Sequence, residues 1–309
     1  MREIAVFGGS AHPALTAEIC AFLDVPQRPV LLKRFANDCL EIQLQSNCRE
    51  RDVFLIQPLV RPVQEHLIEL LLMADAARGA SAARVTAVIP HYAYGRSDKK
   101  DAPRISIGGR LIADLLVTAG VNRVLTLNLH SPQVHGFFSV PVDHLHALRE
   151  LAGHFGGRDL SRAVVVSPDL GYAKSAAAFA RRLGLPVAAG AKERISDMEV
   201  RITAIIGDVA GRDVIVLDDE ISRGTTVFEL LDRLHVDGAR SVAVACTHGL
   251  FADNALDKLT AEVTEVVCTN SAPVPTDHPK LHVLSVAPAL AEAISRIHNG
   301  ESVSVLFDH

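Results

Sequence analysis

Residues 214–234 read VIVLDDEISRGTTVFELLDRL, and this stretch decides the predicted fold. It opens with the apolar run VIVL, which is typical of a strand that is buried on both faces. Apolar residues at helical spacing follow, which predicts an amphipathic helix that Gly238 would end; they are Val227, Leu230, Leu231 and Leu234. Two aspartates and several hydroxyls around one glycine lie at the junction, so the stretch predicts a strand, a polar turn and a helix in succession.

Similar apolar runs recur along the chain, each followed by a helical pattern. They are VFLIQPLV (53–60), VTAVIP (85–90), VLTLNLH (124–130), AVVVSPD (163–169), VIVLDD (214–219), VAVACTHG (242–249) and LHVLSVA (281–287). Strands that alternate with helices predict an α/β fold with mostly parallel sheets that are flanked by helices.

A loose internal repeat predicts two domains. Residues 51–53 and 212–214 both read Arg-Asp-Val, and each opens a strand, a helix and a second strand. We therefore expect two related domains, residues 1–147 and 148–309, with the C-terminal tail as a segment that could pack back on the first domain.

Composition excludes several classes of protein. The chain has 309 residues, of which 49% are apolar, and this is enough for substantial cores. The start, MREIAVFGGSAHPAL, lacks the apolar run of a signal peptide, and no run approaches the ~20 residues that span a bilayer. A net charge of −5 argues against a general nucleic-acid binder. The five cysteines show no CxxC spacing, so we expect reduced thiols and a cytoplasmic protein; they are Cys20, Cys39, Cys48, Cys246 and Cys268.

The polar turn after VIVL has the chemistry to bind a sugar phosphate. Ligands collect beyond the carboxyl ends of parallel strands, and the free N–H groups of a helix start suit a phosphate. Gly224 allows close approach of the backbone, Arg223 adds positive charge, and hydroxyl donors come from Ser222, Thr225 and Thr226. Asp218 and Asp219 repel phosphate and instead suit sugar hydroxyls or a metal ion.

The alternative interpretation is structural: Ser222 or Thr225 caps the helix, and the two aspartates are merely solvated. A cap needs one such residue, whereas this turn has two acids and three hydroxyls. The turn does not have the GxxxxGK[ST] spacing of a Walker-type phosphate loop.

The same turn resembles the signature of proteins with the type I phosphoribosyltransferase fold. Further stretches resemble one family nearly end to end, the ribose-phosphate pyrophosphokinases. They are FGGSAHPAL, SAARVTAVIPHYAYGRSDKKDAPRISIGGRLIADLL, LNLHSPQVHGFFSVPVDHLHA, SPDLG, THGLF and AEAISRIHNGESVSVLF. The resemblance implies two phosphoribosyltransferase-like domains. It also implies transfer of the diphosphoryl group of ATP to the 1-hydroxyl of ribose 5-phosphate, with Mg²⁺, which gives phosphoribosyl pyrophosphate and AMP for nucleotide biosynthesis.

The resemblance also implies roles for individual residues. Lys192 and Arg194, in a polar segment that we predict to be a flexible loop, match the pair that stabilises the transferring diphosphoryl group. His130 and Asp169, which we place at the ends of two strands, match magnesium positions. The resemblance further assigns nucleotide binding to four residues, Phe35 and Asn37 in an adenine loop, and Arg96 and Ser97, where the family usually has glutamine at the position of Ser97. The family forms homo-oligomers, so we expect a dimer or a hexamer.

Besides Ser97, three positions depart from the family pattern. Cys39 stands where the adenine loop usually has glutamate, and that loop is about two residues shorter. Tyr172 replaces the second glycine of SPDxGG, which predicts a cost of about 1–3 kcal/mol if that glycine has a positive φ. Arg223 could strengthen phosphate binding or block the site.

Two alternatives to an active synthetase stay open, and the departures motivate the first of them. One is a catalytically silent, synthetase-like subunit that regulates an active partner. The other is a phosphoribosyltransferase that joins a base to phosphoribosyl pyrophosphate.

Overall fold

The computed structural model of the chain describes residues 3–196, 199–274 and 277–307, without the side chains of residues 193–196, 199 and 200. The chain divides into two compact units. The first unit comprises Met1–His146, Ser271–Pro273 and Val286–His309. The second comprises Ala147–Asn270 and Val274–Ser285. The described helices include none that is both long enough and apolar enough to cross a membrane.

The first unit contains a parallel sheet and a short antiparallel hairpin. Its strands are β1 (Ile4–Gly8), β2 (Gln27–Arg28), β3 (Val30–Arg34), β4 (Leu40–Leu44), β5 (Asp52–Ile56), β6 (Arg84–Ile89), β7 (Arg123–Leu127) and β8 (Val142–Leu145). The sheet order is β2-β1-β5-β6-β7-β8, and β3 pairs with β4 in the hairpin. The helices are α1 (Pro13–Leu23), α2 (Val63–Gly79), α3 (Gly108–Ala119) and, from the C-terminal segment, α8 (Ala287–Asn299).

The second unit has one larger sheet. Its strands are β9 (Ala163–Ser167), β10 (Val187–Ser196), β11 (Glu199–Ile206), β12 (Asp213–Ile221), β13 (Ser241–Gly249), β14 (Glu265–Thr269) and β15 (Leu281–Leu284). The order is β11-β10-β9-β12-β13-β14-β15, with β10 and β11 antiparallel and the other described pairs parallel. The helices are α4 (Leu148–Phe155), α5 (Ala173–Leu183), α6 (Thr225–Val236) and α7 (Ala255–Glu262).

Most of the continuous apolar runs form strands that are covered on both faces, as predicted, but β15 is the edge strand of its sheet and His282 in it is exposed. Every residue of β5 and of β9 is buried. The helical stripe after the polar turn is also confirmed, because Val227, Leu230, Leu231 and Leu234 of α6 are all buried. Helix α6 ends at Val236, and Gly238 has a φ of 79° just beyond it, as expected for a glycine that stops a helix.

The predicted loop around Lys192 is wrong in its secondary structure. The backbone of β10 continues through residues 192–196 and pairs with β11, where Lys192 lies opposite Ile202. The partner strand is rich in β-branched residues, which favour extended backbone over a loop; they are Val200, Ile202, Thr203, Ile205 and Ile206. We predicted a loop because the second half of β10 is polar, but β10 and β11 form a hairpin that extends the sheet.

Candidate active site

The acid pair lies near the carboxyl end of β12, a strand inside the second unit's sheet. β12 pairs with β9 on one side and β13 on the other, so its end lies at the middle of the sheet edge where ligands collect. Asp219 is buried, Asp218 is half-buried, and the Asp219 backbone N–H donates to Asp218 Oδ1 at 2.9 Å. The two carboxyl groups are therefore held in place by the strand itself.

The electrostatics of the pair favour a bound proton. The pKa of Asp218 is raised well above its usual range, first by burial and then by the neighbouring charge of Asp219, with a smaller contribution from Asp169. Two close carboxylates in a partly dry setting resist full ionisation. A ligand that donates hydroxyl hydrogens or brings positive charge would relieve this repulsion.

The turn between β12 and α6 leaves helix N–H groups available. The residue that precedes the helix is Gly224, which has a φ of 75°, and the Phe228 N–H donates to its carbonyl at 2.9 Å. Within the described part of the chain, no side-chain hydrogen bond caps this helix start. Ser222 and Thr225 therefore do not act as the helix cap that the structural alternative required.

Substituting Gly224 with alanine tests the conformation of this turn. A left-handed φ costs a non-glycine residue about 1–2 kcal/mol, and an added Cβ would lie 3.0 Å from Phe228 Cε2. We expect both a lower free energy of unfolding and a higher KM for ribose 5-phosphate. Gly238→Ala is the matched control, because its φ is 79° and no described atom lies within 4 Å of the added Cβ. Equal effects of the two variants on KM would contradict a ligand role for the turn.

Arg223 turns toward an acid rather than across the acid pair. Its Nε lies 2.7 Å from Asp253 Oδ2, and both side chains are exposed. An exposed ion pair of this kind contributes about 0–1 kcal/mol, so a phosphate could displace Asp253. Asp253 was not predicted from the sequence, because a single acid in a loop has no spacing that marks it as a partner.

Lys192 and Asp169 form a direct ion pair. Lys192 Nζ lies 2.7 Å from Asp169 Oδ2, and Asp169 Oδ1 accepts from the Tyr172 N–H at 3.1 Å. The pairing of β10 with β11 shifts register between Ala191 and Lys192, and such a bulge re-aims the next side chain. Burial alone would raise the pKa of Asp169, but Lys192 and the backbone N–H groups lower it overall, so the carboxylate stays charged.

The two predicted metal residues lie beyond the ends of their strands, not at them: Asp169 is two residues after β9, and His130 is three residues after β7. β9 ends at Ser167 and β7 ends at Leu127, so Asp169 and His130 lie in loops beyond the strands rather than at strand ends. Pro168 lacks an N–H to continue β9, and Asn128 has a φ of 40°, which interrupts β7. The predicted Arg194 side chain lies outside the described residues.

Tyr172 does not have the backbone strain that we predicted from the glycine usual at this position in the family. Its φ is −95°, which any residue adopts, so the expected left-handed cost is absent. Its ring packs on an apolar cluster that includes Leu148 and Ile215, and its hydroxyl is buried without a well-formed hydrogen bond among the described residues. The pKa of Tyr172 is well above its usual range because of burial, then Asp219 and Asp218, with a small opposing effect of Ser175.

Replacing Tyr172 with phenylalanine should leave the ligand-free protein as stable or more stable. Leaving a buried hydroxyl unpaired costs about 1–3 kcal/mol, and the variant keeps the ring while removing that group. Thermal unfolding measures the effect, and Ser175→Ala is the control. A clear loss of stability in both variants would show instead that the two hydroxyls form a real hydrogen bond.

In the first unit, the predicted nucleotide residues occupy two places. Phe35 and Asn37 lie in the turn that joins β3 to β4, where the Phe35 N–H donates to the Cys39 carbonyl at 2.9 Å. The Phe35 ring is 49% exposed, which leaves its face open for stacking. Asn37 Oδ1 accepts from the Cys39 N–H at 3.3 Å, so Cys39 contributes backbone to this turn.

The other predicted nucleotide residues, Arg96 and Ser97, lie in a segment that is next to His130. A Cβ added at Gly95 would lie 3.6 Å from the Cβ of His130, so the two segments are in contact. Arg96 ends a 3₁₀ turn, Ala93–Arg96. Ser97 Oγ accepts from the Gly108 N–H at 2.8 Å, so this serine also orders the start of α3.

The comparisons with known proteins cover the whole chain. A model described as the N-terminal domain of ribose phosphate pyrophosphokinase matches residues 4–120, and one described as the phosphoribosyl synthetase-associated domain matches residues 197–308. A putative ribose-phosphate pyrophosphokinase from Streptomyces coelicolor is 71% identical, over 100% of this chain and 98% of that protein. The chain belongs to the ribose-phosphate pyrophosphokinase family. The enzyme of that name from Deinococcus radiodurans is 49% identical over 98% of this chain and 97% of its own length.

A solved structure of this family agrees with the fold. The crystal structure of phosphoribosylpyrophosphate synthetase from Mycobacterium smegmatis matches with a TM-score of 0.91 and 38% identity, covering 97% of this chain and 100% of that chain. The predicted α/β class and the predicted family are therefore confirmed. The departures from the family pattern at Cys39, Tyr172 and Arg223 are accommodated locally, without a change of fold.

Proposed function

We propose that this chain is a ribose-phosphate diphosphokinase, which transfers the diphosphoryl group of ATP to the 1-hydroxyl of ribose 5-phosphate. The products are 5-phosphoribosyl 1-pyrophosphate and AMP. The observation that carries the proposal is the acid pair Asp218–Asp219 followed by a helix start without a side-chain cap, in a chain that belongs to this family end to end. A ligand with hydroxyls at one end and a phosphate at the other matches that order of groups.

Ribose 5-phosphate would bind along this turn. Its phosphate would accept from the first N–H groups of α6 and from the hydroxyls of Ser222, Thr225 and Thr226, with Arg223 released from Asp253. Its ring hydroxyls would donate to Asp218 and Asp219, because a carboxyl oxygen accepts a hydrogen bond in either protonation state and an ionised carboxylate only accepts.

Lys192 and Arg194 would neutralise the charge that develops on the transferring group. Phosphoryl transfer depends mainly on positioning and on such electrostatic stabilisation. Lys192 Nζ lies 2.7 Å from Asp169 Oδ2, and this ion pair supports the proposed role. When substrates bind, its Nζ would exchange that carboxylate for phosphate oxygens.

The residues also fit a magnesium ion. Asp169 is a carboxylate whose pKa is lowered and whose Oδ2 pairs with Lys192, a partner that a cation can replace, and carboxylate oxygens are ligands that Mg²⁺ prefers. His130, which is exposed, is the other residue that the family pattern assigns, acting on the ion through water or on phosphate. The ion would neutralise phosphate charge when bound. Asp169 would then orient it through fixed oxygens, while Lys192 is freed.

The nucleotide would bind to residues of the first unit. The exposed Phe35 ring offers a stacking face for adenine, Asn37 offers amide hydrogen bonds, and Arg96 offers positive charge for phosphates. Ser97 would contribute its hydroxyl, although it already accepts from Gly108.

We further propose a homo-oligomer, a dimer or a hexamer, because the family forms such assemblies. The cysteine thiols are free, which supports a reducing, cytoplasmic location. The proposed partners are small molecules, ATP and ribose 5-phosphate, rather than nucleic acid or membrane.

The decisive experiment follows AMP in a reaction of ATP, Mg²⁺ and ribose 5-phosphate. We expect AMP and phosphoribosyl pyrophosphate in equal amounts, and no AMP when ribose 5-phosphate is left out. If neither product forms and calorimetry shows binding of neither nucleotide nor ribose 5-phosphate, the result favours the silent subunit. Pyrophosphate release from phosphoribosyl pyrophosphate and a free base would point to a base-joining transferase.

A further inference from the structure

Three side chains with metal-binding atoms converge at the other edge of the second unit's sheet. His154 lies near the end of α4, Glu265 is the first residue of β14, and His282 is the second residue of β15. One ligand atom from each lies within 4.8 Å of the others. Because Glu265 is at the amino end of a parallel strand, this cluster is at the edge opposite to that of Asp218 in β12. The proposed reaction gives it no role.

The sheet register explains why these residues meet. His282 pairs with Val267, which lies two residues after Glu265. Side chains alternate along a strand, so Glu265 and His282 point to the same face. Helix α4 packs on that face through the cluster that includes Leu151 and Val267, which brings His154 over both.

The distances suit a tetrahedral metal ion. His154 Nε2 lies 2.8 Å and His282 Nε2 lies 3.5 Å from Glu265 Oε2. The two imidazole rings have centroids 4.9 Å apart. Zinc bonds of 2.0–2.1 Å at tetrahedral angles place ligand atoms roughly 3.3 Å apart, which falls between the two observed distances.

The positive side chain of Arg158 lies in this cluster. The contacts of His154 Nε2 with Arg158 and with Glu265 cannot both be good hydrogen bonds. Arg158 Nη1 donates to Glu265 Oε1 at 2.5 Å, and Arg158 Nη2 lies 2.7 Å from His154 Nε2. If His154 Nε2 carries a proton, it donates to Glu265 but opposes the arginine donor. If it lacks a proton, it accepts from Arg158, but its lone pair faces the carboxylate oxygen at 2.8 Å. A metal ion in place of the guanidinium would bind both the lone pair of His154 Nε2 and a lone pair of the Glu265 carboxylate.

We propose that His154, Glu265 and His282 bind a divalent transition-metal ion of the zinc class, and that Arg158 is the group it displaces. Two imidazoles and one carboxylate suit zinc or cobalt, whereas Mg²⁺ prefers oxygen ligands. Arg158 is 41% exposed, so a displaced guanidinium can turn into solvent. The bound ion would tie α4 to β14 and β15, and His282, which is partly exposed, would leave room for a water as fourth ligand.

Metal titration of the full chain tests the site. The protein is stripped with chelator and titrated with Co²⁺ or Zn²⁺ in excess Mg²⁺, which occupies sites with oxygen ligands. We expect the wild type to bind one ion per chain more than His282→Ala, and Arg158→Ala to bind that ion about tenfold more tightly. His235→Ala removes an exposed histidine of α6 and should match the wild type. Equal stoichiometry in the wild type and His282→Ala overturns the site, and unchanged affinity in Arg158→Ala overturns the displacement.

Stability gives a second readout. An ion that binds only the folded chain raises its melting temperature by mass action. Added Zn²⁺ should raise the melting temperature of the wild type and of His235→Ala, but not that of His282→Ala. An equal rise in all three would mean that the ion acts elsewhere, which contradicts the proposal.

Discussion

Replacing Lys192 with alanine is expected to lower kcat by about 10²- to 10³-fold. Removing one group that stabilises charge in the transition state has an effect of this size in other enzymes. The fold should persist, because the ammonium group forms its ion pair with a partly exposed carboxylate and Lys192 lies in a strand near the sheet edge. The measurement is initial velocity of AMP formation at saturating ATP and ribose 5-phosphate.

The matched control is Lys33→Ala. Lys33 is also a strand lysine that faces a carboxylate, Glu41, at 3.5 Å, but it has no proposed part in the reaction. It should keep the wild-type rate. A Lys192→Ala enzyme that turns over as fast as Lys33→Ala would remove Lys192 from the chemistry.

Replacing Asp218 with asparagine is expected to weaken ribose 5-phosphate binding while stabilising the ligand-free fold. Loss of a hydrogen bond to a charged group costs about 1.5–3 kcal/mol, so KM for ribose 5-phosphate should rise about 10- to 100-fold. The amide oxygen can still accept from the Asp219 N–H, and the like-charge repulsion disappears. The free energy of unfolding should therefore increase by about 1 kcal/mol near neutral pH.

The pH dependence of this gain follows from the raised pKa of Asp218. Below about pH 4 the carboxyl is protonated in both the folded and the unfolded chain, so Asp218 costs the wild type nothing there. As the pH rises toward the raised pKa, the unfolded chain loses the proton first, and the wild type loses stability. Above that pKa the full cost is present. Urea unfolding of the wild type and Asp218→Asn across this range should give curves that meet at low pH and separate as the pH rises.

Asp208→Asn is the control for charge removal, since Asp208 is an exposed acid of the same unit that pairs with Arg212. It should change neither KM nor the pH dependence of stability by a comparable amount. If Asp218→Asn proved less stable than the wild type at neutral pH, the repulsion between the two aspartates would not be the dominant interaction.

Some features of the site were visible in the sequence because they are local. The β12 strand, the turn and the buried stripe of α6 follow from hydrophobic periodicity and from one glycine, since strand and helix spacing are read within a few residues. The α/β class follows from the repetition of that pattern. The bounds of β7 and β9 were less accurate, because we extended the two predicted strands through Asn128 and Pro168, whereas the strands end at Leu127 and Ser167.

The contacts that give the site its chemistry depend on tertiary structure instead. The sequence determined the fold class, the family and the position of the acid pair, because local spacing and motif order encode them. Only the folded sheet decided that Lys192 meets Asp169, that Arg223 turns to Asp253, and that His154 meets Glu265. Lys192 and Asp169 are 23 residues apart in the sequence, and His154 and Glu265 are 111 residues apart. Strand register, a bulge and helix packing determine which of these distant side chains meet.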